Sequence, residues 1–301
     1  MFYYNKLSDN LIEKYGEKVY KLSLDGKMTC PNRDGKISSG GCIFCSKGGS
    51  GEFAEPACGD VTLQIERAKQ RVKNKAKNKF IAYFQNYTNT YAPINYLEKL
   101  FTDAISCDDI VALSIGTRPD CLGDDVLALL NRLNKIKPVT IELGLQTIHE
   151  KTAEFINRGY KLAVYDKAVC DLKSIGVNVV THVILGLPFE TREMMLQTVK
   201  YVGAVTDGIK LQNLQVLKDT PLSELYDKGE VALFERDEYI DLLCDCLSVL
   251  PKNVVVHRLT GDPPKNLLIA PKWCLDKKVT LNAITKAFSE RGVEQGKESD
   301  F

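Results

Sequence analysis

Short apolar runs alternate along the chain with longer segments whose apolar residues recur every three or four positions. The first pattern is that of buried strands and the second that of amphipathic helices. Strands are expected at Val19–Leu24, Phe80–Phe84, Ile110–Ile115, Val139–Leu145, Val177–Leu185 and Ile209–Leu217, with a last one opening at Val254–Val256. Helices are expected at Val61–Lys75, Ile94–Ile105, Asp124–Lys135, Leu162–Ile175, Thr191–Val205 and Arg236–Leu250. Gly176 suits a left-handed helix end, Thr191 an N-cap, and Pro251 a stop.

Six strand–helix repeats and a seventh strand follow from this reading. A run such as Val179–Leu185 is apolar throughout, as a strand covered on both faces must be. Regular alternation implies a parallel sheet with right-handed crossovers. The expected fold is α/β: a partial (β/α)6 TIM-type barrel with a seventh strand and a C-terminal extension. Residues 1–18 read as an N-terminal extension, 19–250 as the barrel with a loop at 25–58, and 251–301 as the last strand and an extension packed on the barrel. A doubly wound sheet would want a glycine fingerprint after the first strand.

Sites in such a barrel lie at the C-terminal ends of the strands. Polar residues fall there: Gln85-Asn86-Tyr87, Gly116-Thr117-Arg118-Pro119-Asp120, Gln146-Thr147, and Arg258 through Asp262. Glu142, His182, Lys210, Gln212 and Gln215 interrupt apolar strands. Taken singly, each reads as a satisfied core group. Their recurrence on strand after strand reads as a site.

The loop after the first strand carries Cys30, Cys42 and Cys45 among glycines and serines. A flexible loop can fold three sulfurs about one inorganic centre. Three thiolates without an obvious fourth suit a [4Fe-4S] cluster with one open iron. Cys42 and Cys45 also have zinc-ligand spacing, and Cys58 could complete a zinc site. On the loop chemistry alone both readings stand.

Composition narrows the setting. Among 301 residues, 44% are hydrophobic and 26% charged, which suits a globular protein. A net charge of +1 confines any nucleic-acid binding to a local patch. The ten cysteines form no disulfide framework, the start has no apolar signal region, and no long apolar run exists. A reducing cytoplasm and no membrane contact are expected.

The chain resembles the radical S-adenosylmethionine (SAM) superfamily, and more narrowly the subgroup related to the catalytic subunit of elongator. The resemblance spans nearly the whole chain. It is carried by Cys30-Pro31-Asn32-Arg33-Asp34-Gly35, Gly40-Gly41-Cys42-Ile43-Phe44-Cys45, Gly116–Asp120, Glu142–Thr147, Asn157-Arg158-Gly159-Tyr160, His182–Pro188, Val216–Thr220 and Arg258–Asp262. Eleven residues separate Cys30 from Cys42, against three in most of the superfamily, and the long spacer is the elongator-like pattern. The usual Gly-Gly-Glu after the second strand is replaced by Phe84-Gln85-Asn86, and no acetyltransferase domain follows the barrel.

The resemblance implies that Cys30, Cys42 and Cys45 hold a [4Fe-4S] cluster and that SAM is cleaved to a 5′-deoxyadenosyl radical. It implies that Arg158 pairs with the cofactor carboxylate and that Arg118 and Asp120 line the adenosyl side. Gln85, Gln146 and His182 join these as cofactor-binding candidates. It further implies tRNA as substrate, with action on the C5 side chain of the wobble uridine in the carboxymethylaminomethyl-to-aminomethyl step. An electron donor such as flavodoxin or ferredoxin and a methylase of the same pathway would be partners.

For tRNA contact, the segment 66–79 carries seven Lys/Arg, among them Lys69, Arg71, Lys73, Lys75 and Lys77. Phosphate neutralisation would supply affinity there; the alternative is a solvated helix end whose cations suit the helix dipole. Tyr3, Tyr4, Tyr87 and Tyr91 could stack on an unpaired base. Arg258, Asp262, Trp273 and Lys277 are further substrate candidates. Two other functions remain: a radical enzyme acting on a small metabolite or peptide, and a zinc-stabilised RNA-binding protein without catalysis.

Overall fold

The computed structural model describes residues 3–49, 51–75 and 77–299. Strands run at Tyr20–Leu24 (β1), Phe80–Phe84 (β2), Ile110–Thr117 (β3), Val139–Gln146 (β4), Asn178–Leu185 (β5), Gly208–Asn213 (β6), Val216–Leu217 (β7), Val255–Arg258 (β8) and Leu268–Ala270 (β9). Helices run at Leu7–Tyr15 (α1), Val61–Gln70 (α2), Ile94–Ser106 (α3), Asp124–Asn134 (α4), Glu150–Phe155 (α5), Leu162–Ser174 (α6), Arg192–Val205 (α7), Pro221–Asp227 (α8), Arg236–Val249 (α9) and Lys277–Arg291 (α10).

Seven strands form one parallel sheet in the order β1-β2-β3-β4-β5-β6-β8. It curls into a half-barrel whose edges, β1 and β8, do not pair with each other. Helices cover the outside, so the strands are apolar: β2 is buried at every position. The core runs without a break from Leu22 on β1 to Ile284 and Phe288 on α10. Tyr3 and Tyr4 rest on Phe288 at ring separations of 5.9 and 6.1 Å, so these two tyrosines are packing groups rather than base-stacking platforms.

The helix ends follow the sequence. Thr191 caps α7 by accepting from the Met194 N–H. Gly176, at φ +70°, turns the chain out of α6. Two expectations are corrected. The helix expected at 61–75 stops at Gln70 and continues as turns, because Arg71, Lys73 and Lys75 are exposed and anchor no further helical turn. The strand expected at 209–217 breaks after Asn213, whose side chain bonds the Leu214 carbonyl and the Gly261 N–H. β7 then pairs antiparallel with β9 in a separate two-stranded sheet. Among the described residues no helix is long and apolar enough to cross a membrane.

Candidate active site

A cavity of about 1070 Å³ opens at the C-terminal ends of the strands. Cys30, Cys42 and Cys45 line it from the loop that follows β1. The loop is held by its own polar groups. Arg33 donates to the Cys45 carbonyl at 2.8 Å and to that of Ser46 at 2.5 Å. Gly41 lies at φ +86°, and a Cβ there would sit 2.8 Å from Arg33 Nε, so the close approach requires glycine.

The segment Asn157–Tyr160 straps this loop down. Asn157 Nδ2 donates to the Gly41 carbonyl at 2.8 Å, and the Asn157 carbonyl accepts from Asn32 Nδ2 at 2.6 Å. The Ile43 N–H reaches the Ile156 carbonyl at 3.1 Å. Gly159, at φ +81°, leaves room for Asn32, whose Oδ1 would lie 2.8 Å from an added Cβ.

Burial pushes the Cys42 thiol up to about 12 and raises that of Cys45, so neither is a thiolate by itself. Arg118 beside Cys42 and Arg33 beside Cys45 act in the opposite direction, and a cationic metal centre would complete the change. Cys58 stands apart: it is exposed, bonds the Asp60 carbonyl at 3.2 Å, and does not line the cavity. Cys58 thus stays outside the cavity that Cys30, Cys42 and Cys45 line, and the four-cysteine set that a zinc site needs is not brought together among the described residues.

The other candidates are placed as follows. Gln85, Arg118, Gln146, Arg158 and His182 all line the cavity, and Asp120 does not. Asp120 is instead the two-pronged partner of Arg118, at 2.9 and 2.7 Å. Arg158 is 1% exposed, and its guanidinium is taken up by backbone carbonyls: Leu145 at 3.3 Å, Thr147 at 2.6 Å, and Tyr160 at 3.1 and 2.9 Å. It ties the end of β4 to the strap, which is not the free fork that gripping a carboxylate calls for. Gln146 sits at φ +72° beside a register shift in β4, and its Oε1 is buried without a hydrogen-bond partner. The buried Thr88 Oγ1 on the same cavity wall also lacks one. A strained polar residue and orphaned polar atoms mark a place where a polar ligand belongs.

Deeper in the barrel is a charged network that the sequence suggests only piecemeal. Glu142 is 1% exposed. Its Oε1 accepts from Lys21 at 2.5 Å and Ser114 at 2.8 Å. Its Oε2 accepts from Tyr83 at 2.8 Å, His182 at 2.9 Å, and Lys210. Lys21 and Lys210 hold the Glu142 carboxyl well below its ordinary range despite burial. Burial lowers Lys210 to about 7 and His182 to about 4, so the imidazole is neutral and donates through Nε2. Sequence reasoning misses Lys21, Tyr83 and Ser114; the alternation Lys21-Leu22-Ser23-Leu24, which puts two polar groups on one face of β1, is the available signal.

The basic segment lies elsewhere. α2 leaves the C-terminal end of β1 and returns toward the start of β2, where Lys79 bonds the Tyr15 carbonyl. Lys69 pairs with Glu66 and with Asp109 just before β3. Arg71 pairs with Glu55 at 2.7 Å. Lys69, Arg71, Lys73, Lys75 and Lys77 do not line the cavity. Arg258, Asp262 and Lys277 do, whereas Trp273 stacks against Tyr239 at 5.4 Å and is not among the lining residues.

Comparison with known proteins agrees with this geometry. The family described as the Radical SAM superfamily matches residues 34–202, and the Radical_SAM C-terminal domain matches residues 206–290. YtqA of Bacillus subtilis (strain 168) is 45% identical over 296 residues, covering 98% of this chain and 92% of its own. A tRNA uridine(34) acetyltransferase of Methanocaldococcus jannaschii is 31% identical over 163 residues, 53% of this chain and 30% of that protein. The solved structure of archaeal Methanocaldococcus infernus Elp3 superposes with a TM-score of 0.71 at 19% identity, covering 92% of this chain and 64% of that one. The chain therefore belongs to the radical SAM superfamily, and its fold is similar to that of archaeal Elp3.

Proposed function

We propose that this radical SAM enzyme acts on the C5 side chain of the wobble uridine of tRNA, in the step from carboxymethylaminomethyl- to aminomethyl-uridine. The bond between the amine nitrogen and the carboxymethyl carbon breaks, water supplies an oxygen, and the two-carbon group leaves as glyoxylate. Of the two electrons released, one passes as a hydrogen atom to the deoxyadenosyl group of SAM and one to the electron carrier. The observation that carries the reading is the similarity, over half the chain, to a relative named for uridine 34 of tRNA. A cavity of about 1070 Å³ at the strand ends is large enough for a flipped nucleotide beside a cofactor.

The donor set fits a [4Fe-4S] cluster and SAM. Cys30, Cys42 and Cys45 would hold the cluster, with Arg33 and the Asn157 strap keeping their loop in shape. When bound, the cluster would supply the electron for reductive cleavage of SAM. Thr88 and Gln146 offer unpaired polar atoms to the cofactor, with Gln85 beside them. Arg118 lends positive charge next to Cys42. A flavodoxin or ferredoxin would deliver the electron, and a methylase would act on the product.

Phosphate contacts belong to the rim of the cavity rather than to residues 67–79, because Lys265 and Lys277 line the mouth. The test is anaerobic reconstitution followed by incubation with tRNA carrying the carboxymethylaminomethyl group. Aminomethyl-uridine and 5′-deoxyadenosine should form together. About four irons per chain should bind; Cys45→Ala should lose them and Cys58→Ala should keep them. If the nucleoside is untouched while SAM is still cleaved with a small carboxylated compound, the small-substrate reading replaces this one. Tight zinc that disappears in Cys58→Ala removes the iron reading.

A further inference from the structure

On its β6–β8 side the cavity is lined by the basic groups Lys210 and Arg258, with Lys277 exposed at its mouth. In register across three strands stand His182 on β5, Lys210 on β6 and Arg258 on β8, with Gly144 of β4 continuing the row. All four line the cavity. Arg258, with Lys21 beneath and Lys277 at the mouth, makes three cations facing two acids, Glu142 and Asp262, and Lys210, lowered to about 7 by burial, adds part of a fourth charge near neutral pH. His182 and His257 are held neutral by burial and by these same cations, and so answer no charge. Glu142 already accepts from Lys21, Ser114, Tyr83, His182 and Lys210. Asp262 is shared between Arg258 at 3.2 Å and Lys277 at 2.8 Å. Gln212 Oε1, 3.2 Å from Arg258 Nη1, holds the guanidinium at the cavity wall.

We infer that Arg258, with Lys210 beside it in the same row, forms a subsite for a carboxylate on the substrate. The guanidinium is held by Gln212 through Nη1 and by Asp262 through Nη2, so a substrate carboxylate would meet it by taking the place of Asp262, which Lys277 retains. The row position at Gly144 has no side chain, and leaves the space that an entering chain needs. Depth decides between anions. A phosphate of a nucleic-acid backbone is flanked by two sugars and cannot reach a layer directly above Glu142, whereas a terminal carboxylate on a base side chain can. Place decides between carboxylates. The cysteine loop follows β1, at the opposite edge of the sheet from β8, so the cofactor's own carboxylate belongs across the cavity. The subsite rests on the substrate reading above and names the group on the uridine side chain that the enzyme recognises.

Cluster-loaded protein should be titrated, with SAM present, with two tRNAs that differ only at the wobble uridine: one carries the carboxymethylaminomethyl group, the other the aminomethyl group. The wild type should prefer the carboxylated tRNA. Arg258→Gln should weaken that preference by roughly 10- to 100-fold, the range of a hydrogen bond to a charged group. Arg258→Lys should restore part of it. Arg258 is at the cavity surface rather than in the core, and a thermal melt of each variant checks the fold. Product formation by the wild type with a preference that survives Arg258→Gln overturns the subsite alone. Loss of SAM binding in Arg258→Gln also overturns it, since the guanidinium would then serve the cofactor. A wild type that neither prefers nor converts the carboxylated tRNA overturns the substrate reading and the subsite with it.

Discussion

A carboxylate without exposed surface persists only when its charge is answered on every side. Glu142 meets that condition with five donors from β1, β2, β3, β5 and β6, and so fastens five strands at the barrel floor. Glu142→Gln leaves Lys21 and Lys210 facing each other without an acid. At pH 7 it should cost about 3–5 kcal/mol, read from urea unfolding. The pH dependence separates two groups. The lowered Glu142 pKa gives stability that is complete above about pH 4.3 and fades progressively as pH falls from there toward the folded value. His182 is lowered from 6.5 to about 4 by burial and by Lys210. Between those values the unfolded chain binds the proton and the folded one does not, so stability falls as pH drops from 6.5 toward 4. The full effect is about 3 kcal/mol. His182→Gln should remove the His182 share of that slope, leaving the share of His257, which burial also holds neutral, and the steeper loss below pH 4. An unaltered slope between those limits would place the protonating group elsewhere. Each polar residue here is visible in the sequence as an interruption of an apolar strand. Their meeting is not, because alternation along a strand says which face a residue takes but not what stands opposite.

The connecting segments, rather than the strands, give the site its shape. Eleven residues between Cys30 and Cys42 are too many to hold sulfurs in place by themselves, and Asn157 supplies the missing constraint from the β4–α6 connection. Asn157→Ala removes the bonds from Nδ2 to Gly41 and Ser38. Two such bonds are worth about 1–2 kcal/mol, so amide exchange across residues 30–45 should quicken roughly 10-fold and iron loading should fall. Gly41→Ala should act alike, by pushing Arg33 away from the Cys45 and Ser46 carbonyls. Exchange that stays at wild-type rates in both variants would mean that the loop holds its form without the strap. The strand–helix alternation is legible because each buried strand and amphipathic helix carries its own period. α8, α10 and the β7–β9 pair are not legible: β7 and β9 are two and three residues long, too short for a period to show. Arg158 is legible as a motif but not in its role, since its partners are backbone carbonyls, and backbone atoms leave no mark in a sequence.

On the scale of the whole molecule, the half-barrel has two unlike ends. The C-terminal strand ends carry the cysteines, the cavity and the mouth lysines. The basic run at 67–79 starts on α2, at whose end Arg71 bonds the carbonyl of the cavity-lining Phe53 at 3.4 Å, and finishes at Lys79 by the opposite end, at the start of β2. Counting cations along the sequence cannot tell these ends apart, and for that reason the run resembles a tRNA-binding segment. With a net charge of only +1, the molecule has no general attraction for a polyanion, so the placement of each lysine decides. A tRNA that delivers its wobble base to the cavity must lay its neighbouring phosphates on the rim. Replacing Lys265 by Glu and Lys277 by Gln should therefore weaken tRNA binding and lower the slope of log affinity against log salt by roughly two, one for each phosphate left without its lysine. Replacing Lys73, Lys75 and Lys77 by Glu together should change affinity less than about twofold at physiological salt, apart from the long-range repulsion that screening confines to about 8 Å. The two variants are to be compared by titration across a salt series with the same tRNA. If the triple variant loses binding and the rim variant keeps it, the tRNA must wrap around β1 to the far end of the barrel. The cavity would then be reached through the open side between β1 and β8 instead of through the mouth.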